Sequence, residues 1–425
     1  MKQYDSYKDS GVEWIGKVPS HWEILRGKYM LDILSGFPFD SKKFEYDDNY
    51  MPLIRIRDIN SSSTEVYYSG VYPKESVVKK GEVLIGMDGD FNVSRWNGPE
   101  ALLNQRVCKL SESSKMNTCF AFYMLSLPLK LTNDVTYATT VKHLSVYDIY
   151  NTFLPVPTIA EQEGIANYLD KKCSEIDNVI SAQQKRIALL QELKQSVITH
   201  AVTKGLNPNV EMKDSGVEWI GKIPASWDVV HLKRILRERM QYGANEPAES
   251  DDTTYPRYIR ITDITANGEL RPETFKSLEP SKAKDYLLDK GDVLFARSGA
   301  TVGKTFLFNA DIKACYAGYL IKASCDKRRM LPEYLYYYTQ SGAYECWKNS
   351  VFIQSTIQNI GADKYQMMYI PVPSKDEQKQ IVEYTMRKSQ IFDAAISKAQ
   401  HQVELLQEYK QSLITEVVTG KRKVS

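Results

Sequence analysis

The segment Lys8-Asp-Ser-Gly-Val-Glu-Trp-Ile-Gly-Lys-Val-Pro-Ser-His-Trp22 returns as Lys213-Asp-Ser-Gly-Val-Glu-Trp-Ile-Gly-Lys-Ile-Pro-Ala-Ser-Trp227, with twelve of fifteen positions identical at an offset of 205. Leu154-Pro-Val-Pro157 returns as Ile370-Pro-Val-Pro373, at an offset of 216. A chain that says nearly everything twice must fold as two related units. Internal two-fold symmetry of this kind suits a target that itself has two halves. At 425 residues the chain is also too long for one ordinary core.

Each repeat has a mixed part and a helical part. Met51-Pro-Leu-Ile-Arg-Ile-Arg-Asp-Ile59 and Tyr258-Ile-Arg-Ile-Thr-Asp-Ile264 alternate with period two and predict half-buried strands. Lys80-Gly-Glu-Val-Leu-Ile85 and Lys290-Gly-Asp-Val-Leu-Phe295 predict a turn followed by a buried strand. The growing offset places length differences in the loops between these strands. After each Pro-Val-Pro comes a capping box, Thr158-Ile-Ala-Glu161 or Ser374-Lys-Asp-Glu377. Helix formers then run to Gly205 and Gly420, which supply left-handed stops. Roughly 40 residues at ~1.5 Å each make a rod of about 60 Å.

Apolar residues on the first rod follow gaps of three, four or seven: Ile165, Leu169, Ile176, Ile180, Ile187, Leu190, Val197 and Ala201. The same register on the second gives Ile381, Thr385, Phe392, Ile396, Val403, Leu406, Leu413 and Val417, with only Thr385 breaking the run. Such a seam predicts a coiled coil, each helix pairing with the other. The alternative is that each packs separately on its own globular domain. Antiparallel pairing requires Ile165 to lie near Val417 rather than near Ile381.

Composition excludes little and chemistry is hard to find. Net charge is +2, which neither demands nor forbids nucleic acid. The 28 tyrosines fit cores before binding surfaces. The six cysteines form no Cys-x-x-Cys pair, so zinc and disulfides are not expected. The N-terminus lacks the apolar core of a signal peptide, and no apolar run approaches the ~18 residues of a membrane span; a cytoplasmic protein is expected. Ser298-Gly-Ala-Thr-Val-Gly-Lys-Thr305 nearly fits a phosphate-binding loop, but Ser298 stands where the first glycine is required. A tight turn between strands, or a loop meeting a DNA phosphate, fits better. The five histidines form no metal or triad pattern. A non-catalytic binding protein is expected, with no metal and no cofactor of its own.

Taken in order, these motifs resemble the DNA-sequence-specificity subunits of type I restriction–modification systems. The carriers are the duplicated Gly-Val-Glu-Trp-Ile-Gly-x-x-Pro, the Leu/Ile-Pro-Val-Pro-x-x-x-Glu-Gln leading into each helix, the Gly291-to-Lys304 run, and the Lys194-Gln-Ser-Val-Ile-Thr199 and Lys410-Gln-Ser-Leu-Ile-Thr415 helix ends. The resemblance implies an α+β fold with a pseudo-two-fold internal repeat: two mixed α/β target-recognition domains separated by two long antiparallel coiled-coil helices. The expected boundaries are 1–157 and 206–373 for the recognition domains, 158–205 and 374–425 for the helices with the C-terminal tail. It implies that each domain binds half of a split, asymmetric site on double-stranded DNA. It also implies recruitment of two modification (methyltransferase) subunits carrying S-adenosylmethionine, and of restriction (motor–nuclease) subunits using ATP and Mg. The assembled complex would be an adenine-specific DNA methyltransferase and ATP-dependent endonuclease. A bivalent coiled-coil adaptor for protein partners is the alternative.

Side chains able to reach base edges or phosphates are Arg55, Arg57, Arg95, Asn104, Gln105, Arg106 and Lys142 in the first domain. In the second they are Arg260, Arg297, Lys304, Gln354, Gln358 and Asn359. Arg55 and Arg260 occupy equivalent positions, which suits framework or phosphate. Gln105 and Gln354 differ between repeats, which suits bases.

Overall fold

Both copies of the duplicated motif fold into the same antiparallel hairpin, Tyr7–Asp9 with Lys17–Pro19 and Met212–Asp214 with Lys222–Pro224. A computed structural model describes residues 3–111, 113–135, 142–265, 268–353 and 359–424. The chain forms two compact units: Met1–Ala182 with Gln402–Ser425, and Gln183–His401. Each unit therefore holds one mixed α/β part and a segment of both long helices.

The helices run Ile159–Lys204 and Lys375–Val418. In the first capping box the Thr158 hydroxyl accepts the Glu161 N–H, and the Glu161 carboxylate accepts the Thr158 N–H at 3.1 Å. In the second the Ser374 hydroxyl accepts the Glu377 N–H. Each glutamate also takes an indole N–H, Glu161 from Trp22 and Glu377 from Trp227, both indoles being fully buried. The next residue, Gln162 or Gln378, is a buried amide that staples the helix start to the loops before it. Gln162 accepts the Asn117 N–H and donates to the Pro157 carbonyl; Gln378 accepts the Leu331 N–H and donates to the Pro373 carbonyl. The Pro-Val-Pro-x-x-x-Glu-Gln signature is thus a structural latch for the duplicated tryptophan. At the far ends Gly205 and Gly420 adopt φ of 76° and 73°. Gly205 abuts Trp227 and Pro224, and Gly420 abuts Trp22 and Pro19.

Burial opposes the charge on Glu161, but hydrogen bonds from His21, Thr158 and Trp22 outweigh it and hold the carboxyl below its usual value. Its contribution to stability is complete above the unfolded value near 4.5 and is lost as the pH falls through the lowered folded value. Unfolding midpoints of the parent and Glu161→Gln are therefore expected to differ at roughly pH 6 and to converge only once the pH has fallen below the lowered folded value. A gap that stays constant across that window would contradict this linkage.

Within the first unit the two helix segments run antiparallel. Ile165, Leu169, Ile176 and Ile180 share one core with Leu413, Val417 and Val418, and the Lys410 ammonium meets Asp177 at 2.7 Å. Within the second unit Lys194 meets Asp393 at 2.6 Å, and Ile198, Ala201 and Val202 share a core with Ile381. Of the expected seam, Ile165, Ile176, Ile180, Ile381, Ile396 and Leu413 are buried, whereas Ile187, Leu190, Val197, Phe392, Val403 and Leu406 are half-buried. Two helices alone cannot enclose the middle of a seam. Ile198 and Val202 are buried although the seven-residue register passes them by, because the second globular part covers that face. Thr385 fits its buried site by donating to the Ile381 carbonyl at 2.7 Å.

The globular parts repeat one sheet. In the first, the antiparallel order is Val93–Arg95, Val83–Gly86, Val107–Ser111, Asp32–Ser35; in the second it is Thr305–Phe308, Asp292–Ala296, Leu320–Ala323, Gln241–Tyr242. Beside each lies a parallel pair, Met51–Ile54 with Ala101–Leu103 and Arg257–Ile259 with Ala314–Tyr316. Gly81 and Gly291 make the left-handed turns expected before the buried central strands, at φ of 93° and 100°. The strands expected over 51–59 and 258–264 are shorter. Both break at an arginine, because Asp58 or Asp263 accepts the backbone N–H of Arg55 or Arg260 and folds the chain into a 3-10 turn. Among the described residues no helix is long and apolar enough to cross a membrane.

Candidate nucleic-acid interface

Three loops meet at one end of the first sheet. The strand Val83–Gly86 leads into 87–91, Ala101–Leu103 leads into 104–106, and 142–144 returns alongside. Backbone bonds knit them: Met87 N–H to the Arg106 carbonyl, Gly89 N–H to Lys142, and Leu144 N–H to Met87. Gly89 takes a φ of 75°, and Phe91, buried beneath, a φ of 50°. On this platform the Asp88 carboxylate meets His143 Nδ1 at 2.7 Å and Arg106 Nε at 3.4 Å. Gln105 and Arg106 are exposed, and Asn104 accepts the Gln105 N–H.

The second sheet builds the same platform with other side chains. Arg297 N–H donates to Tyr319, Gly303 N–H to Ala296, and Ile360 N–H to Arg297. The bridge between Ser298 and Asn359 stands where Asp88 and His143 stand in the first. Gly299 repeats the left-handed turn of Gly89. Two buried tyrosines hold the loop from below, Tyr344 donating to the Gly303 carbonyl at 2.7 Å and Tyr365 to Ala296 at 2.9 Å. Above them the Arg297 guanidinium lies 4.8 Å from the Tyr242 ring, Lys304 and Asn359 are exposed, and Tyr319 is 66% exposed. Gly303-Lys-Thr305 runs into a strand rather than a helix, so the geometry of a nucleotide-binding loop is absent here.

The other sequence candidates have different surroundings. Arg55 and Arg260 each make a two-pronged pair with Asp58 or Asp263, and Arg260 also donates to the Thr274 carbonyl. Arg57 is exposed on the same turn. Arg95 meets Asp170 of the long helix at 2.6 Å and lies over the Phe122 and Tyr123 rings, so it ties sheet to helix. The Lys142 ammonium donates to the Asn133 carbonyl and side chain. Gln354 and Gln358 lie outside the described residues. Sequence reasoning did not select Asp88, His143, Tyr242 or Tyr319. The signal lay in aligning the two loop sets against each other. Among the described residues no cluster of His, Cys, Asp and Glu is placed to hold a metal ion.

The duplication of sheet and loops is matched by the comparisons. Residues 19–189 and 224–404 each match the type I restriction modification DNA specificity domain. The chain is 29% identical over 401 residues to the type I restriction enzyme EcoBI specificity subunit of Escherichia coli, covering 92% of this chain and 83% of that one. It is 22% identical over 418 residues to the MjaVIII specificity subunit of Methanocaldococcus jannaschii, covering 96% and 94%. A solved chain from work on complex assembly and conformational transition of the type I R-M system shares the fold, with a TM-score of 0.68 at 16% identity over 94% of this chain and 98% of that one. The chain belongs to the type I restriction–modification DNA specificity family.

Proposed function

We propose that the chain reads a split, asymmetric site on double-stranded DNA, one half with residues 1–157 and the other with 206–373. The observation that carries this is the pair of loop platforms. Two bonds between loops correspond, Met87 and Arg297 N–H to the Arg106 and Tyr319 carbonyls and Leu144 and Ile360 N–H to the Met87 and Arg297 carbonyls, while Asp88, Arg106 and His143 on one platform are replaced by Ser298, Tyr319 and Asn359 on the other. Donors and acceptors of this kind discriminate base edges, and differing sets select differing bases. Arg57 is left to settle on phosphate. The long helices set the separation of the half-sites. Exposed Leu189 and Leu193, one turn apart on the first helix, offer modification subunits an apolar surface.

In this role the chain itself catalyses nothing. Two modification subunits would bring S-adenosylmethionine and methylate adenine; restriction subunits would bring ATP and Mg. Methylome sequencing of cells expressing the chain with its cognate modification subunit is expected to show one bipartite motif. Exchanging the 87–91 and 104–106 loops for those of a relative should change bases in one half only. Methylation without a bipartite motif, or a loop exchange that changes neither half, would overturn the proposal in favour of a protein adaptor.

A further inference from the structure

A basic groove runs along the second globular part, away from the residues selected above. It has a volume of about 740 Å³ and is walled by Lys233, Arg234, Arg237 and Arg239 on one side and Gln366 and Met367 on the other. Two carboxylates face it, Glu238 and Asp363. Glu238 is engaged by Lys322 and Arg237 at 3.6 Å each, and Arg237 is also held by Asp289 at 3.2 Å. Lys233, Arg234 and Arg239 are exposed and reach no carboxylate among the described residues. Among the described residues Lys233 donates only to the Met367 sulfur, a weak acceptor. Three cations are thus left against the one remaining acid, Asp363.

Tyr242 links the groove walls to the loop platform. Its basic wall runs on through Met240 into the strand Gln241–Tyr242, and the Tyr242 ring carries the Arg297 guanidinium. Its other wall is the helix Ala362–Gln366, whose Ala362 N–H donates to the Tyr242 hydroxyl at 3.0 Å. The first repeat has the same elements, Gly27–Tyr29 and Val146–Asn151, without this charge. Its stretch 28–35 contains one cation, Lys28, lying over the Tyr29 ring, and one acid, Asp32.

We infer that Lys233, Arg234 and Arg239 form a phosphate track, which carries the DNA backbone away from the second half-site; of the three, only Lys233 has a cationic counterpart in the first reader, Lys28. The inference rests on the DNA-reading role proposed above. A phosphate backbone fits better than an acidic protein face. Protein interfaces centre on buried aromatic or aliphatic anchors, and the groove offers only Met367 and Leu236 as apolar surface. Exposed cations beside the proposed base-reading platform are what backbone positioning uses.

The test uses the full chain assembled with its modification subunit, and a duplex carrying the motif found by methylome sequencing with flanking sequence on both sides. Binding is measured from roughly 50 to 200 mM salt. The triple variant Lys233→Ala, Arg234→Ala, Arg239→Ala is expected to weaken binding and to lower the slope of log K against log salt by about one per cation removed, about three in all. The methylated motif should stay the same. Arg234→Lys with Arg239→Lys keeps the charges and should keep the slope. An unchanged slope in the triple variant overturns the inference. A changed base preference in the second half-site also overturns it, making these residues base readers. Loss of assembly on gel filtration overturns it in favour of an acidic protein partner. If the parent complex itself binds no bipartite duplex, the DNA-reading role fails rather than the track.

Discussion

Trp227→Ala is expected to destabilise the second unit by about 3–5 kcal/mol. The side chain is fully buried, and its indole N–H donates to both Glu377 oxygens at 3.2 Å. It touches both helices at once, since Gly205 at the end of the first helix packs on the ring and Glu377 at the start of the second accepts its proton. Truncation therefore leaves a cavity, a carboxylate short of a donor and two loosened helix termini. Trp227→Phe keeps most of the apolar contact and loses the hydrogen bond, so about 1–2 kcal/mol is expected there. Denaturant midpoints give the totals. Amide exchange should show protection lost first around 198–204 and 377–381. If Trp227→Ala stays within about 1 kcal/mol of the parent, the indole is not the anchor that the duplicated motif exists to supply.

Gly36→Ala and Gly243→Ala are each expected to disable one platform and leave the other intact. A Cβ at Gly36 would overlap the Asn104 carbonyl and stand 2.5 Å from the Val107 oxygen; at Gly243 it would overlap the carbonyls of Tyr316 and Ala317. These neighbours are backbone, so relief requires the strands to part. Parting breaks the bonds from Gly36 N–H to Val107 and from Phe37 N–H to Leu103, or from Gly243 N–H to Leu320 and from Ala244 N–H to Tyr316. Overpacking of this kind costs about 1–3 kcal/mol. The larger effect is on function, because the wedge sits beneath the 104–106 or 317–319 loop. A shift of about 1 Å there should lower methylation of the cognate site on the order of a hundredfold. Discrimination against mismatches should relax in the first half-site for Gly36→Ala and in the second for Gly243→Ala. Parent-like rates in both variants, or relaxation in the wrong half, would show that these loops do not read DNA.

The helices were legible because their signals are local. A capping box, a left-handed glycine and a seven-residue stripe lie within reach of one another in sequence, and all three reappear in the folded chain. The buried face at Ile198 and Val202 was not, because it is set by a globular part that packs from the side. The strand endings at Arg55 and Arg260 also escaped alternation, which reports on side-chain faces and not on a carboxylate three residues ahead. The interface was the least legible part. Residue type marked Arg95 as a candidate, yet its partner Asp170 lies on the long helix. Asp88 and His143 are 55 positions apart and become a pair only when the loops are brought together.

The two helix ends carry one more consequence. In the second repeat Gly205, which abuts Trp227, is joined by a short covalent linker to the hairpin beginning at Met212. In the first repeat Gly420 abuts Trp22 and Pro19 with no peptide link at all, and the Lys423 ammonium caps the contact over the Tyr4 ring. The same junction is thus made once through the backbone and once by contact alone. The order of elements thus closes on itself, each long helix ending against a hairpin of the same kind. Each mixed part therefore docks on a long-helix end through the same tryptophan–glycine contact, whether or not a peptide link spans it.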